Sequence, residues 1–281
     1  MTVRITADSP CDLGRELIER NNIGITPLHI NMGERSLRDG VDCSPRDIFA
    51  YTESTGTLCS TSATAIGEYT DFFTQTLEQC DAIVHLSLSS GISSSHQNAL
   101  VAAGDFPGRV FVVDTLSLTT GMGLLVLEAA EMARSGMAAG EIARAVLARR
   151  EKVSVSFVPE TLEYLRMGGR CSALAAMGAN LLKLHPCIEA ENGLLLPTKK
   201  YRGTMARTLS AYVADRLADA GSIDPARAFI THVIDDGALL GGVVKQVEDS
   251  GVFREVLVAQ AGATIACHSG PGVLGLIYMK K

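Results

Sequence analysis

The sequence predicts an α/β protein of two units. The first has a mainly parallel sheet flanked by helices; the second has a more antiparallel sheet with helices. Three observations carry this. Up to about residue 152, short β-rich runs alternate with longer helical patterns, the signature of βαβ units. Farther on, Asn192-Gly193 sits between two strand-like runs, which marks a hairpin. The chain then closes on "EVLVAQAGATIACHSGPGVLGLIYMKK", which reads as strand, turn, strand.

In the first unit, "VRIT" is a strand leading into the helical "ADSPCDLGRELIERN". "STSATAIGEYTDFFTQTLEQCD" is a capped helix with Phe72, Phe73 and Leu77 at helical spacing. "CDAIVHLSL" leads into "SSGISSSHQNALVAAGDF", and "GRVFVVD" into "TLSLTTGMGLLVLEAAEMARSG". "SGMAAGEIARAVLARREK" is the last helix before the character changes near Glu151–Val153, dividing residues 1–152 from 153–281. The second unit opens with the alternating "VSVSFVP". Two helices, "ETLEYLRMGGR" and "CSALAAMGANLLKLHP", hinge at Gly168-Gly169. The hairpin "CIEAENGLLLPTKKYRG" follows, then the amphipathic "TMARTLSAYVADRLADAG", the strand "ARAFITHVI" and the helix "GALLGGVVKQVEDSG".

With 281 residues, the chain can bury a substantial core. A net charge of −6 argues against non-specific nucleic-acid binding, which needs a basic face. No apolar run reaches membrane-spanning length, and "MTVRITADSP" has no signal-peptide core, so a cytoplasmic protein without integral membrane association is expected. The seven cysteines form no C-x-x-C pair and read as buried, reduced thiols; the six histidines show no metal spacing, so no metal is expected.

Four polar turns precede helices: Asp8-Ser9, Ser60-Thr61-Ser62, Ser89-Ser90-Gly91 with Ser93, and Asp114-Thr115. In a parallel sheet such turns project from one edge, where ligands sit, and free N–H groups favour an anion. Ser and Thr at a helix start are also ordinary caps. The Ser-rich loop is not a G-x-S-x-G elbow, and it lacks the lysine of a phosphate-binding P-loop. A carboxylate, with one charge, suits neutral hydroxyls better than a phosphate does. In the second unit Arg166 and Arg170 flank the glycine hinge, Arg202 ends a hairpin strand, and His268 precedes a Gly-Pro-Gly turn. A serine-dependent acyl hydrolase, or an acyl or phosphoryl transferase using Ser93 with His96 or His268, is the alternative reading.

Taken in order, "ITADSPCDL", "TSATA", "SSGISSSHQNA", "VVDTLSLTTGMGLLVLEAA", "LEYLRMGGRCSALAAMGANLLKLHPCI" and "HSGPGVLG" resemble the segments of the DegV family of bacterial fatty-acid-binding proteins. The resemblance implies a long-chain fatty acid buried between two α/β domains, with no cofactor, and a carrier rather than an enzyme. It places Thr61, Ser93, Arg202 and His268 at the carboxylate. Asp8, Ser9, Ser62, Ser90 and Gly91 lie in supporting loops, and Arg170 contacts a partner fatty-acid kinase. Ala7, the "ATA" after Ser62 and His96 depart from the family pattern. Leu165, Met167, Leu181, Leu182 and Ile188 are candidates for lining the tail pocket. Burying about 16 carbons at roughly 0.8 kcal/mol per methylene gives about 10 kcal/mol gross. The tail would dominate affinity and the hydroxyls would fix orientation.

Overall fold

A computed structural model describes residues 2–173 and 184–281. The first part of the chain runs β1 (Val3–Asp8), α1 (Arg15–Arg20), β2 (Gly24–Thr26), β3 (His29–Met32), β4 (Arg35–Arg38), α2 (Pro45–Thr55), β5 (Ser60–Ser62), α3 (Ile66–Leu77), β6 (Ala82–Ser87), α4 (Ser95–Ala103), β7 (Val110–Asp114), α5 (Thr119–Arg134) and α6 (Ala139–Arg149). The second part runs β8 (Val153–Val158), α7 (Glu163–Gly168), β9 (Leu184–Glu191), β10 (Leu194–Arg202), α8 (Met205–Leu217), β11 (Ile223–His232), α9 (Gly237–Asp249), β12 (Val256–Gln260), α10 (Ala263–Ser269) and β13 (Leu274–Lys280).

Strands β2-β1-β6-β7 form a parallel sheet. Every residue of β6 is buried, as a central strand covered on both faces requires. The large sheet runs β10-β9-β8-β13-β11-β12, antiparallel except where β11 meets β12. Its strands alternate. Val155, Phe157 and Ile277 face a core shared with the first sheet, whereas Val158, Leu274 and Leu276 face Leu209, Tyr212 and Val243 of α8 and α9. Helix α5 is buried over most of its length and packs on β1 and β6 as well as on β8, β11 and β13. It is the layer common to both sheets.

Three features differ from the sequence reading. Residues 24–38, which carry little periodicity, form β2 and part of a small antiparallel sheet, β4-β3-β5. Ser60-Thr61-Ser62 is therefore a strand paired to β3, not a strand-to-helix turn. The terminal turn contains α10, a seven-residue helix hidden in the sequence by its shortness, and His268 lies in its last turn. The segment at Leu184 is already strand rather than the end of a helix. The hairpin is as expected: Asn192 and Gly193 both have positive φ, 49° and 81°.

Candidate functional site

Helix α10 follows β12 in the chain yet packs into the core of the small sheet. Its Ala263 and Cys267 join Ile30, Met32, Cys43, Ile48 and Cys59 in one buried cluster. This crossing brings His268 to β5, where its Nε2 lies 2.7 Å from Thr61 Oγ1. The approach needs Gly168. A Cβ there would sit 2.3 Å from His268 Nδ1, so α7 can close on α10 only without a side chain at that position.

Thr61 and His268 open onto a cavity of about 270 Å³, close to the lower size of small-molecule pockets. Leu28, Leu88, Ile92 and Leu118 wall it from the first half; Val155, Phe157, Leu165, Leu195 and Ile277 wall it from the second. Its polar lining includes Ser62, Ser93, Ser94, Thr119, Thr264 and Ser269. Arg170 is the one Lys or Arg among the described lining residues, and it is exposed. Burial, and secondarily the Arg170 charge, depress the His268 imidazole to about 4, so it is neutral at pH 7. Its Nδ1 has no hydrogen-bond partner.

The sequence-derived residues thus divide. Thr61, Ser93, His268 and Ser62 share the cavity. Arg202 does not line it; that residue is exposed at the end of β10, and Arg170 is the cation at the cavity instead. Strand direction explains this, since β10 buries Tyr201 and turns its neighbour outward. Of the tail candidates, Leu165 lines the cavity, Met167 points outward on α7 at 73% exposure, and Ile188 is buried in the core without lining the cavity. Leu181 and Leu182 lie outside the described residues.

The loop residues act as braces. Asp8, fully buried, accepts from the Leu88 N–H (2.8 Å) and the Tyr69 hydroxyl (2.5 Å), which fixes the start of the Ser-rich loop. Ser89 donates to the Gly193 carbonyl at 2.7 Å, and Gly91 lies where a Cβ would come within 2.5 Å of the same oxygen, so the loop rests on the hairpin tip. Ser90 donates to Asp114. Ser9 donates to Asp39. Most of the six serines between Ser87 and Ser95 therefore hold the loop, while Ser93 pairs with Ser95 (2.9 Å) and faces the cavity.

Neither candidate histidine hydrogen-bonds Ser93. His96 Nδ1 pairs with Ser87, and His268 pairs with Thr61. Burial also lowers the His96 imidazole from its ordinary value. Among the described residues no group of three or more His, Cys, Asp or Glu is placed to hold a metal ion, and no helix is long and apolar enough to cross a membrane. Sequence reasoning singled out none of Thr119, Ser156, Thr231 and Thr264, which line the cavity; Thr119 lies within the family-like "VVDTLSLTTGMGLLVLEAA", and the others lie in apolar-looking segments.

A model of the family described as "Uncharacterised protein, DegV family" matches residues 2–281. The chain belongs to the DegV family. A DegV domain-containing protein of Streptomyces coelicolor is 30% identical over 282 residues, with 99% of each chain covered. Among solved structures, a DegV family protein from Thermus thermophilus, described for its fatty-acid binding, is 29% identical with a TM-score of 0.93 and all of both chains covered. DegV of Bacillus subtilis, described as a fatty-acid-binding protein, is 25% identical with a TM-score of 0.88, again over the whole of both chains. The two-unit α/β architecture of this family is the one seen here.

Proposed function

We propose that this protein is a carrier that encloses a long-chain fatty acid between its two sheets, with the carboxylate held at Thr61 and Ser93 and with His268 orienting the Thr61 hydroxyl. The carrying observation is the cavity itself. Aliphatic side chains from both halves wall it, and its polar lining is made of hydroxyls and a neutral histidine, with Thr61 and His268 paired at 2.7 Å. In this reading His268 Nε2–H donates to Thr61, which frees the Thr61 hydroxyl to donate to the ligand. Hydrogen bonds to an ionised carboxylate are worth about 1.5–3 kcal/mol each. Arg170 supplies the opposing charge at the rim, and the acyl chain lies against Leu165, Phe157 and Ile277. The fatty-acid binding described for the Thermus and Bacillus relatives supports the same assignment.

Native mass spectrometry of the purified protein, followed by lipid extraction, tests this. One fatty acid per chain is the expected result. A protein that arrives empty and takes up no added fatty acid overturns the reading.

The carboxylate is presented to a phosphorylating partner, a fatty-acid kinase, at the lip formed by Arg170 and the exposed Met167. Support comes from Arg170, an exposed cation among the lining residues, and from Met167, an apolar side chain in water three positions before it. Met167→Glu should reduce acyl-phosphate formation by such a kinase while leaving fatty-acid affinity unchanged. Equal kinase turnover of both forms would remove the partner from the proposal.

A further inference from the structure

Helix α10 carries His268, but it cannot set its own position. It spans seven residues, Ala263–Ser269, too few to be stable alone. Its N-cap is Gly262, which has no side chain with which to cap. The cap comes instead from two carboxylates more than 200 positions earlier in the chain. Asp12 Oδ1 accepts from the Gly262 N–H at 2.9 Å, and Asp39 Oδ1 accepts from the Ala263 N–H at 2.9 Å.

Each carboxylate is held by its second oxygen. Asp12 Oδ2 accepts from the Thr119 hydroxyl at 2.6 Å, and Asp39 Oδ2 accepts from the Ser9 hydroxyl at 2.7 Å. Ser9 Oγ in turn accepts from the Leu28 N–H at 3.1 Å. Both aspartates are buried, at 7% and 3% exposure. An amide, two carboxylate oxygens and a hydroxyl thus make a rigid link from the first turn of α10 to the edge of the parallel sheet. Thr119 and Leu28 also line the cavity.

We propose that Asp12 and Asp39 are positioning residues of the carboxylate site, clamping one end of α10 so that its other end holds His268 on Thr61. The site's partners come from opposite ends of the sequence, and a helix about 10 Å long, at 1.5 Å rise per residue, joins clamp to imidazole. A shift at the clamp is carried to His268, whose imidazole has one hydrogen bond to hold it: its Nδ1 has no hydrogen-bond partner. The packing of Ala263 and Cys267, with the Cys267 Sγ–Cys59 carbonyl contact at 3.1 Å, keeps the helix docked without the clamp, and the clamp sets its N-terminal end. This inference rests on the reading of Thr61 and His268 as the carboxylate site.

The test compares Asp12→Ala and Asp39→Ala with Asp12→Asn and Asp39→Asn, which keep an acceptor oxygen. Two quantities are read: the ¹⁵N resonances of the His268 imidazole in lipid-free protein, assigned with His268→Gln, and the affinity for palmitate. The alanine variants should move the His268 Nε2 resonance toward that of a free imidazole and weaken palmitate binding at least tenfold. The asparagine variants should restore most of both. Unmoved imidazole resonances in the alanine variants overturn the clamp. If the alanine variants do not fold, Ser9→Ala, which loosens only the second oxygen of Asp39, should give a smaller shift in the same direction; no shift overturns the proposal. The imidazole readout needs no lipid. A wild type that ignores palmitate, with imidazole shifts as expected, would sink the fatty-acid reading and leave the clamp standing.

Discussion

Among the described residues there are two threonine–histidine pairs, and they are built differently. Thr6 and His85 lie on neighbouring strands of the parallel sheet, Oγ1 to Nδ1 at 3.0 Å, and the other ring nitrogen reaches Asp8 at 3.2 Å. Asp8 also takes the Tyr69 hydroxyl and the Leu88 amide, and Tyr69 and Phe73 meet the imidazole edge-on. Every polar atom there has a partner, and Thr6, Asp8 and His85 are fully buried. Thr61 and His268 form the second pair, which is left open: no further side chain among the described residues satisfies it, and both residues face a cavity where the Thr61 hydroxyl is free to donate. A closed polar network in a core rigidifies the fold, whereas spare hydrogen-bonding capacity beside an apolar cavity is free for a ligand. The same two residue types thus serve structure in one place and recognition in the other.

The sharpest way to break this comparison is to remove an anchor from the closed pair. Asp8→Ala leaves three buried donors without an acceptor and should cost about 3–5 kcal/mol of stability, read as a lowered denaturation midpoint. A loss below about 1 kcal/mol would mean the network is not structural. On the open side, Thr61→Val with Ser93→Ala should weaken fatty-acid binding by about 2–4 kcal/mol, or roughly 30- to 1,000-fold, with little change in midpoint. Unchanged affinity in calorimetry would show that these hydroxyls do not hold the carboxylate. Gly168→Ala pushes a methyl group into the His268 ring and should cost roughly tenfold in affinity through displacement alone. A crystal structure of that variant with His268 unmoved would contradict this.

The smallest effect is in pH. His268 is depressed from 6.5 to about 4, so the folded protein binds fewer protons than the unfolded chain across that window, and this group makes stability rise with pH there. Asp12 is raised by burial from 3.8 to about 7, so it acts in the opposite sense, with stability falling as pH rises between those values. Each contributes at most about 1.4 kcal/mol per pH unit. Between about pH 4 and 6.5 the two oppose each other. Relative to wild type, His268→Gln should shift the slope of stability against pH downward, and Asp12→Asn should shift it upward. Urea titrations at several pH values decide this, and equal slopes in both variants would refute it.

Legibility in the sequence followed how local each signal was. Strands β1, β6 and β7, helices α3, α5, α8 and α9 and the Asn192-Gly193 hairpin all carry periodicity or turn chemistry within a dozen residues, and all are present. The small sheet was not legible, because β3, β4 and β5 are three or four residues long and gain stability only by pairing with one another and by burying Ile30 under α10. Arg202 and Arg170 show the same limit at the site. Both read as second-half cations, and only side-chain direction separates the one on the cavity from the one outside it.

The sequence by itself determined the α/β class, the two kinds of sheet and the hydroxyl-rich character of the loops. Those depend on propensity, alternation and turn residues, which act over short stretches of chain. Only the tertiary structure decided that Thr61 meets His268 across 207 positions and that Asp12 and Asp39 cap the helix between them. A seven-residue helix with a glycine cap has no local reason to lie where it does. Its place is set by buried carboxylates and by a core to which distant segments contribute, and such contacts exist only once the chain has closed on itself.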